Sequence, residues 1–328
     1  MTKTTRLLQP VVMEDVSTAL IEDGARVLGG GTDLVPNRTW GLDTGDTWVK
    51  VERVSETREI TQDAQGRWVV GAAVTLAAVM AHPELGRDYP LWITAIRAVA
   101  TPEIRTQATI GGNLCLDTRC RFRNQPPVWR SALTPCFKSG GELCYAAPAS
   151  RQCVAMLSSD SAPALVALGA EVGVAGPHPR WMPVSELYSG DGYYHLTLGA
   201  GEWVHAVRLP ANPPVGVFRK WRGRATIDFP EVNVAVSVSP GSELRVVKIV
   251  VSALGPAPVR VPEAENLLAT GRWTQEELQL AADLARRAVH PYDNGQLGVI
   301  GRQRAVRELV YGALSDLRDN VWKKGVQG

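Results

Sequence analysis

The sequence has little of what marks specialised protein classes. Nothing approaches the roughly 18 uninterrupted apolar residues of a membrane helix. The most apolar stretch, 162–175, is broken by Pro163, Glu171 and glycines. Charge of either sign is not in surplus: 35 Lys and Arg stand against 33 Asp and Glu, or +2 at pH 7. That balance excludes a general pull toward nucleic acid or a membrane surface. No apolar run follows Met1-Thr2-Lys3-Thr4-Thr5-Arg6, so no secretory signal is expected, and the expected location is cytoplasmic. Histidines are few and scattered (His82, His178, His195, His205, His290), without H-E-x-x-H spacing, and no nucleophile elbow occurs. No catalytic residue is therefore assigned. Cysteine is absent outside residues 115–153, and the five within that window cannot all pair. Structural disulfides are disfavoured in the expected compartment.

What is present fits an ordinary folded protein, with 45% hydrophobic and 21% charged residues. Spacing predicts a helix over Met13–Glu22 with Val16, Leu20 and Ile21 on one face, then a strand at Arg26-Val27-Leu28. Trp68–Ala72 reads as a strand, and Thr75–His82 and Leu91–Val99 as helices. Glu171–Val174, His195–Leu198 and Trp203–Leu209 read as strands. Pro210–Pro214 is the best linker candidate. Beyond it come strands at Val217–Trp221, Val232–Val238 and Val246–Val251, then two long helices. The first is opened by a capping box, Thr274 with Glu277. The second runs from about Arg302 to Trp322. Strands followed by helices suggest an α+β second domain.

Two turns could hold a cofactor. Gly29-Gly30-Gly31-Thr32-Asp33-Leu34 follows a strand, and three glycines let backbone N–H groups converge on a phosphate. It is neither G-x-G-x-x-G nor a P-loop, and a plain turn is the alternative. Thr32 and Asp33 could cap a helix before Pro36. The second turn is Thr109-Ile110-Gly111-Gly112-Asn113. Downstream, Asp160 could cap a helix whose first turn holds Pro163, or meet a flavin hydroxyl. Arg105 and Lys220 are the basic residues to watch near these segments.

Between the second turn and Asp160 lie Cys115, Cys120, Cys136, Cys144 and Cys153. The last four are separated by fifteen, seven and eight residues. Only Cys115/Cys120 approaches the C-x₂₋₄-C form of zinc fingers, and the ferredoxin run is absent. An iron–sulfur cube tolerates ligands from separate loop segments. Spacing alone leaves iron–sulfur, zinc and a metal-free basic loop open. Cys115 fits worst as a ligand and reads as a small packed residue. Residues 119–153 hold Arg119, Arg121, Arg123, Arg130, Lys138 and Arg151 against Glu142, so six minus one gives +5. Such cations are expected to lower thiol pKa values and to steer an acidic one-electron donor.

The pairing of Gly29–Leu34 with Ala108–Asn113 and then Ser159-Asp160 resembles the flavin subunits of the xanthine oxidase family of molybdenum hydroxylases. Leu254-Gly255-Pro256-Ala257-Pro258 fits as well, and the resemblance covers essentially the whole chain. It implies an α+β fold: a PCMH-type FAD-binding domain at 1–213, interrupted by a cysteine-rich insertion at about 114–156. An α+β domain of antiparallel sheet and helices follows at 214–328. By the same resemblance FAD is held by Val27, Leu28, Gly29, Gly30, Gly31, Thr32, Asp33 and Leu34 with Thr109, Gly111, Gly112 and Asn113. Asp160 reaches the ribityl or ring region, and Lys220 lies near the flavin.

Most members pass from Gly-Gly-Asn to Ser-Asp by a short link. Here Asn113–Cys120, Asn124-Gln125 and Trp129-Arg130-Ser131 resemble the β subunits of the 4-hydroxybenzoyl-CoA reductase branch. That likeness implies a 4Fe-4S cluster on Cys120, Cys136, Cys144 and Cys153. It further implies a large molybdopterin subunit, a small subunit with two 2Fe-2S clusters, a ferredoxin-like donor and a dimer of heterotrimers. The reaction would be reductive dehydroxylation of 4-hydroxybenzoyl-CoA, performed on a partner. An oxidising aldehyde or N-heterocycle hydroxylase would carry the same motifs. A flavin-free protein with a zinc loop is the reading from another class.

Overall fold

The computed structural model describes residues 5–225, 227–239 and 245–325. Met1–Thr4 and the side chain of Trp322 lie outside the described residues. Three sheets organise the chain. The first is parallel, with strand Thr47–Lys50 between Arg6–Leu8 and Ala25–Leu28. The second has five antiparallel strands in the order Ile60–Gln62, Trp68–Gly71, Trp203–Arg208, Glu171–Ala175, Arg180–Pro183. The third has four antiparallel strands, Val259–Arg260, Val246–Ser252, Val232–Ser239 and Val215–Trp221. Helices Pro262–Thr270, Gln275–Ala288 and Val299–Gly325 complete the C-terminal part. No helix among the described residues is long and apolar enough to cross a membrane.

Strand Val232–Ser239 explains how the two halves meet. Alternate residues of a strand face opposite sides. Val232, Val234, Val236 and Val238 join the core under the C-terminal helices. Ala235 joins the main N-terminal core, and Ser237 donates to the Ala167 carbonyl at 2.7 Å. The face bearing Asn233, Ala235 and Ser237 thus receives helix Ser161–Leu168, every residue of which is buried. Arg302, 0% exposed, adds a pin between elements. It donates to the carbonyls of Glu231 and Tyr292, each at 3.0 Å, to Asn294 Oδ1 at 2.6 Å, and to the Ala253 carbonyl.

Several sequence expectations need correction. The first helix is Met13–Ala19; Val16 is buried, but Ile21 is 63% exposed, so the apolar face is shorter than its spacing suggested. His195–Leu198 forms no strand, only a bridge between Tyr188 and Leu196. The preceding residues coil because the Asp191 carboxylate accepts the N–H groups of Tyr193 and Tyr194. Asp160 makes no side-chain cap; Ser159 Oγ accepts from Ala162 N at 3.1 Å instead. Asp33 stands at a helix start but makes no cap bond either. The capping box at Thr274 and Glu277 is present.

Candidate functional site

The two glycine turns are brought together. Gly30 lies so close to Gln107 that a methyl group there would overlap the Gln107 carbonyl. A methyl on Gly29 would press on Thr109 Oγ1, and one on Gly111 would lie 2.7 Å from Ala72 Cβ. Gly31 has φ +74°, a left-handed conformation that glycine adopts without steric cost. The second turn is fixed by Leu76 N–H to Ala108 O at 2.8 Å and Gly111 N–H to Ala72 O at 2.9 Å. Thr109 caps the short helix Ile110–Leu114 by accepting from Gly112 N at 3.1 Å. The N–H groups of Gly30, Gly31 and Thr32 have no acceptor among the described residues. Consecutive unpaired amides in such a turn suit an anionic group such as a pyrophosphate. Leu28 is buried, Val27 is 39% exposed, and Thr32 and Leu34 are intermediate.

A polar chain leads from the second turn into the C-terminal sheet. Ser159 Oγ donates to Asn113 Oδ1 at 2.9 Å. Asn233 Nδ2 donates to Asp160 Oδ1 at 3.0 Å and to the Ser159 carbonyl at 3.2 Å. Lys220 Nζ meets Asp160 Oδ2 at 2.6 Å, and the two side chains are 5% and 2% exposed. Burial pushes the Asp160 carboxyl above the usual carboxylate range, with Lys220, Asn233 and Arg222 pulling the other way. Lys220 and Asp160, expected near a flavin, are thus joined as a buried pair. Asn233 escaped notice in the sequence. Its one signal was an amide inside the valine strand 232–238, since buried polar groups need partners. Arg105 is a helix-end device: it donates to the carbonyls of Val99 at 2.6 Å, and of Arg97 and Ala100 at 3.2 Å each.

Cys120, Cys136, Cys144 and Cys153 line a single cavity, with Phe122, Phe137, Leu143, Ala146, Val154 and Ala155 among its other walls. All five cysteines are free thiols. Among the described residues no three His, Cys, Asp or Glu side chains are disposed to hold a single metal ion. A single zinc would gather its sulfurs at about 2.3 Å from one point; a cubane spaces its ligands more widely. The soft donor set and the largely apolar walls fit such a cluster. Cys115 lies apart, packed against the main core, and burial pushes its thiol up to about 12.

At Cys120 and Cys153 burial outweighs any pull from the loop's cations, raising the Cys120 thiol and pushing Cys153 up to about 12, with Lys138 opposing at Cys153. Three of the six cations are paired with carboxylates outside residues 119–153. Arg119 meets Asp33 at 2.6 Å, Arg121 meets Asp293 at 2.7 Å and Lys138 meets Asp117 at 2.7 Å. The loop's +5 less these three leaves +2. Arg123 donates to the Leu42 carbonyl at 2.9 Å, and Arg130 to those of Trp40 and Gly41. These arginines therefore fasten the loop to the chain just beyond the first glycine turn. Asp33 is shared: besides Arg119 it accepts Asp117 N–H at 3.1 Å.

The paired glycine turns, the polar chain beyond them and the sheet-and-helix C-terminal part define a flavoprotein class. The chain belongs to the family described as the FAD binding domain in molybdopterin dehydrogenase, whose sequence model matches residues 3–212. Residues 217–317 match the CO dehydrogenase flavoprotein C-terminal domain. The chain is therefore an FAD-binding subunit of the molybdenum hydroxylases, with the α+β architecture expected from its motifs.

Among its relatives is the aldehyde oxidoreductase FAD-binding subunit PaoB of Escherichia coli K12. It is 31% identical over 261 residues, covering 76% of this chain and 80% of PaoB. The nicotine 6-hydroxylase medium subunit of Paenarthrobacter nicotinovorans is 23% identical over 309 residues, 93% of this chain and 94% of that subunit. The fold is similar to a cyanide-inactivated Cu,Mo-CO dehydrogenase chain, with TM-score 0.76, 21% identity and 95% and 96% of the two chains covered. It is also similar to quinoline 2-oxidoreductase from Pseudomonas putida 86, with TM-score 0.75, 20% identity and 97% and 98% covered.

Proposed function

We propose that this chain is the FAD and 4Fe-4S electron-transfer subunit of a cytoplasmic molybdenum hydroxylase. The observation that carries the cluster is the convergence of four cysteines, from segments 33 residues apart at the extremes, on one cavity. Cys120, Cys136, Cys144 and Cys153 would hold it. The residues of 27–34 with Thr109, Gly111, Gly112 and Asn113 would bind the FAD pyrophosphate through the unpaired amides. Asp160, held by Lys220 and Asn233, would orient the ribityl or ring region. We place the domain boundary at 213/214, with the insertion at about 114–156. When bound, FAD and the cluster supply electron storage and one-electron transfer, while the chain supplies position and electrostatics. Molybdopterin would lie on a large partner and 2Fe-2S clusters on a small one, assembled as a dimer of heterotrimers.

The first substrate reading is reductive dehydroxylation of 4-hydroxybenzoyl-CoA, supported by the likeness of the insertion. The second is oxidation of an aldehyde or N-heterocycle, favoured by the 31% identity to PaoB. Assaying the whole complex with 4-hydroxybenzoyl-CoA and a low-potential donor, and with aromatic aldehydes and an acceptor, separates them. Oxygen-free purification should yield about eight iron and eight sulfide per FAD, about four of each beyond the partner's 2Fe-2S clusters. Cys144→Ala should lose the iron beyond the partner's 2Fe-2S clusters and keep FAD, and Cys115→Ala should keep both. A wild-type complex with only the partner's 2Fe-2S iron, about four per FAD, sinks the cluster, and one without flavin sinks the cradle.

A ferredoxin-like acidic donor remains the proposed source of electrons in the reductive reading, with a weaker field than +5 would give. Arg151 is exposed and bears on this directly. Arg151→Glu should slow electron uptake from an acidic carrier by about two- to fivefold at low ionic strength. The difference should vanish near 1 M salt, where the Debye length is about 3 Å. Equal rates for both forms at low salt would remove steering.

A further inference from the structure

We propose that Lys138 is a positioning residue for the metal centre, its buried ammonium holding three of the four cysteine segments in register and setting the charge of the cavity wall. The inference rests on the reading of the four cysteines as cluster ligands. Lys138 lies two residues beyond Cys136 and lines the cavity. Its side chain is 7% exposed. An ammonium has three N–H donors, and all three are used: Asp117 Oδ1 at 2.7 Å, Thr118 Oγ1 at 2.6 Å and the Gly192 carbonyl at 2.7 Å.

Those acceptors belong to the other cysteine segments. Asp117 and Thr118 immediately precede Arg119 and Cys120. Gly192 donates its N–H to the Cys153 carbonyl at 2.8 Å. The Thr118 hydroxyl donates to the Gly192 carbonyl as well, closing the arrangement. The remaining segment is joined next door: Phe137 N–H reaches the Leu143 carbonyl, adjacent to Cys144, at 2.9 Å. A solvated loop gives a lysine no cause to be buried, since ordering that side chain and desolvating its charge both cost free energy. Here the cost is offset by saturating every donor on groups that fix where cysteines stand. Asp117, 38% exposed, keeps its contact with water. Lys138 lines the cavity and Asp117 does not, so the ion pair turns its positive end to the cavity.

A merely structural lysine and one that also sets the local potential differ in sign behaviour. Lys138→Met removes a positive charge at nearly constant length, and Asp117→Asn removes a negative one at constant shape. In the anaerobically purified complex, Lys138→Met should lower the iron held beyond the partner's 2Fe-2S clusters by about half or more, as loss of a group supporting metal ligands does. The cluster that remains should have a more negative midpoint potential in an EPR-monitored redox titration. Asp117→Asn should shift the midpoint the other way, to more positive values. Lys138→Arg should not restore wild-type iron content, because a planar guanidinium cannot place three donors as an ammonium does. Wild-type iron content with an unchanged midpoint in Lys138→Met, or no shift of opposite sign in Asp117→Asn, overturns the proposal. If Lys138→Met does not accumulate as a folded complex, the Asp117→Asn midpoint alone decides. A wild-type complex with no iron beyond the partner's 2Fe-2S clusters instead refutes the cluster reading itself, an outcome distinct from wild-type-like variants of a complex that holds the extra iron.

Discussion

Gly30→Ala should give a chain that binds no measurable FAD and is destabilised by about 2–3 kcal/mol. The added methyl would occupy the space of the Gln107 carbonyl. That carbonyl cannot yield cheaply. Gln107 N–H is bonded to Ile104 O at 3.0 Å, Ala108 N–H to the same oxygen at 2.8 Å, and Ala108 O accepts from Leu76 at 2.8 Å. Relief must therefore separate the two turns that form the proposed cradle, and the loss of flavin should exceed what the stability change alone would cause. Gly86→Ala is the control: nothing lies within 4 Å of the added carbon, and the position is helical. It should keep FAD and gain about 0.5–1 kcal/mol. Flavin absorbance per chain and urea unfolding of both variants give the answer. A yellow Gly30→Ala protein with wild-type stability would show that the close approach of the turns is not needed.

The same contact shows what could be read before the fold was seen. Gly29-Gly30-Gly31 and Gly111-Gly112 announce places where side chains are not tolerated, and the structure supplies the reasons: Gly29 and Gly30 press on the second turn, Gly31 is left-handed, and Gly111 packs on Ala72. The cysteine positions were legible as a group because no other cysteine exists. What joins the two regions was not legible. Asp33, Asp117, Arg119 and Lys138 are separated by up to 105 residues, and in sequence each looks like an ordinary surface charge. Their role depends on burial and on which carboxylate meets which cation, and local pattern encodes neither. That is why the +5 of residues 119–153 suggested a free electrostatic surface when much of it is fastening. Asp160 failed as a cap for a similar reason. A local bond from an Asp to its own helix competes with a buried lysine 60 residues away, and the ion pair prevails.

Lys220→Met should cost about 3–5 kcal/mol, because it leaves a carboxylate buried without its charge partner. Asp160 is 2% exposed, and Asn233 would remain its main hydrogen-bond donor. The pH dependence identifies the cause. A carboxyl whose folded pKa lies above its unfolded value binds its proton more tightly in the native state. From the unfolded value of about 3.9 up through the folded one, stability therefore falls as pH rises. Burial already raises Asp160, and Lys220 is first among the groups that oppose the rise. Without Lys220 the folded value climbs further and the sensitive window widens toward neutral pH. The deficit of Lys220→Met against wild type should be larger at pH 8 than at pH 5. Adding Asp160→Asn should recover most of it at pH 8, since the amide carries no charge to desolvate. Urea unfolding of the single and double variants at both pH values measures this. A deficit independent of pH, or one untouched by Asp160→Asn, would mean that Lys220 stabilises the domain contact through packing and its 3.0 Å bond to the Ala98 carbonyl rather than through Asp160.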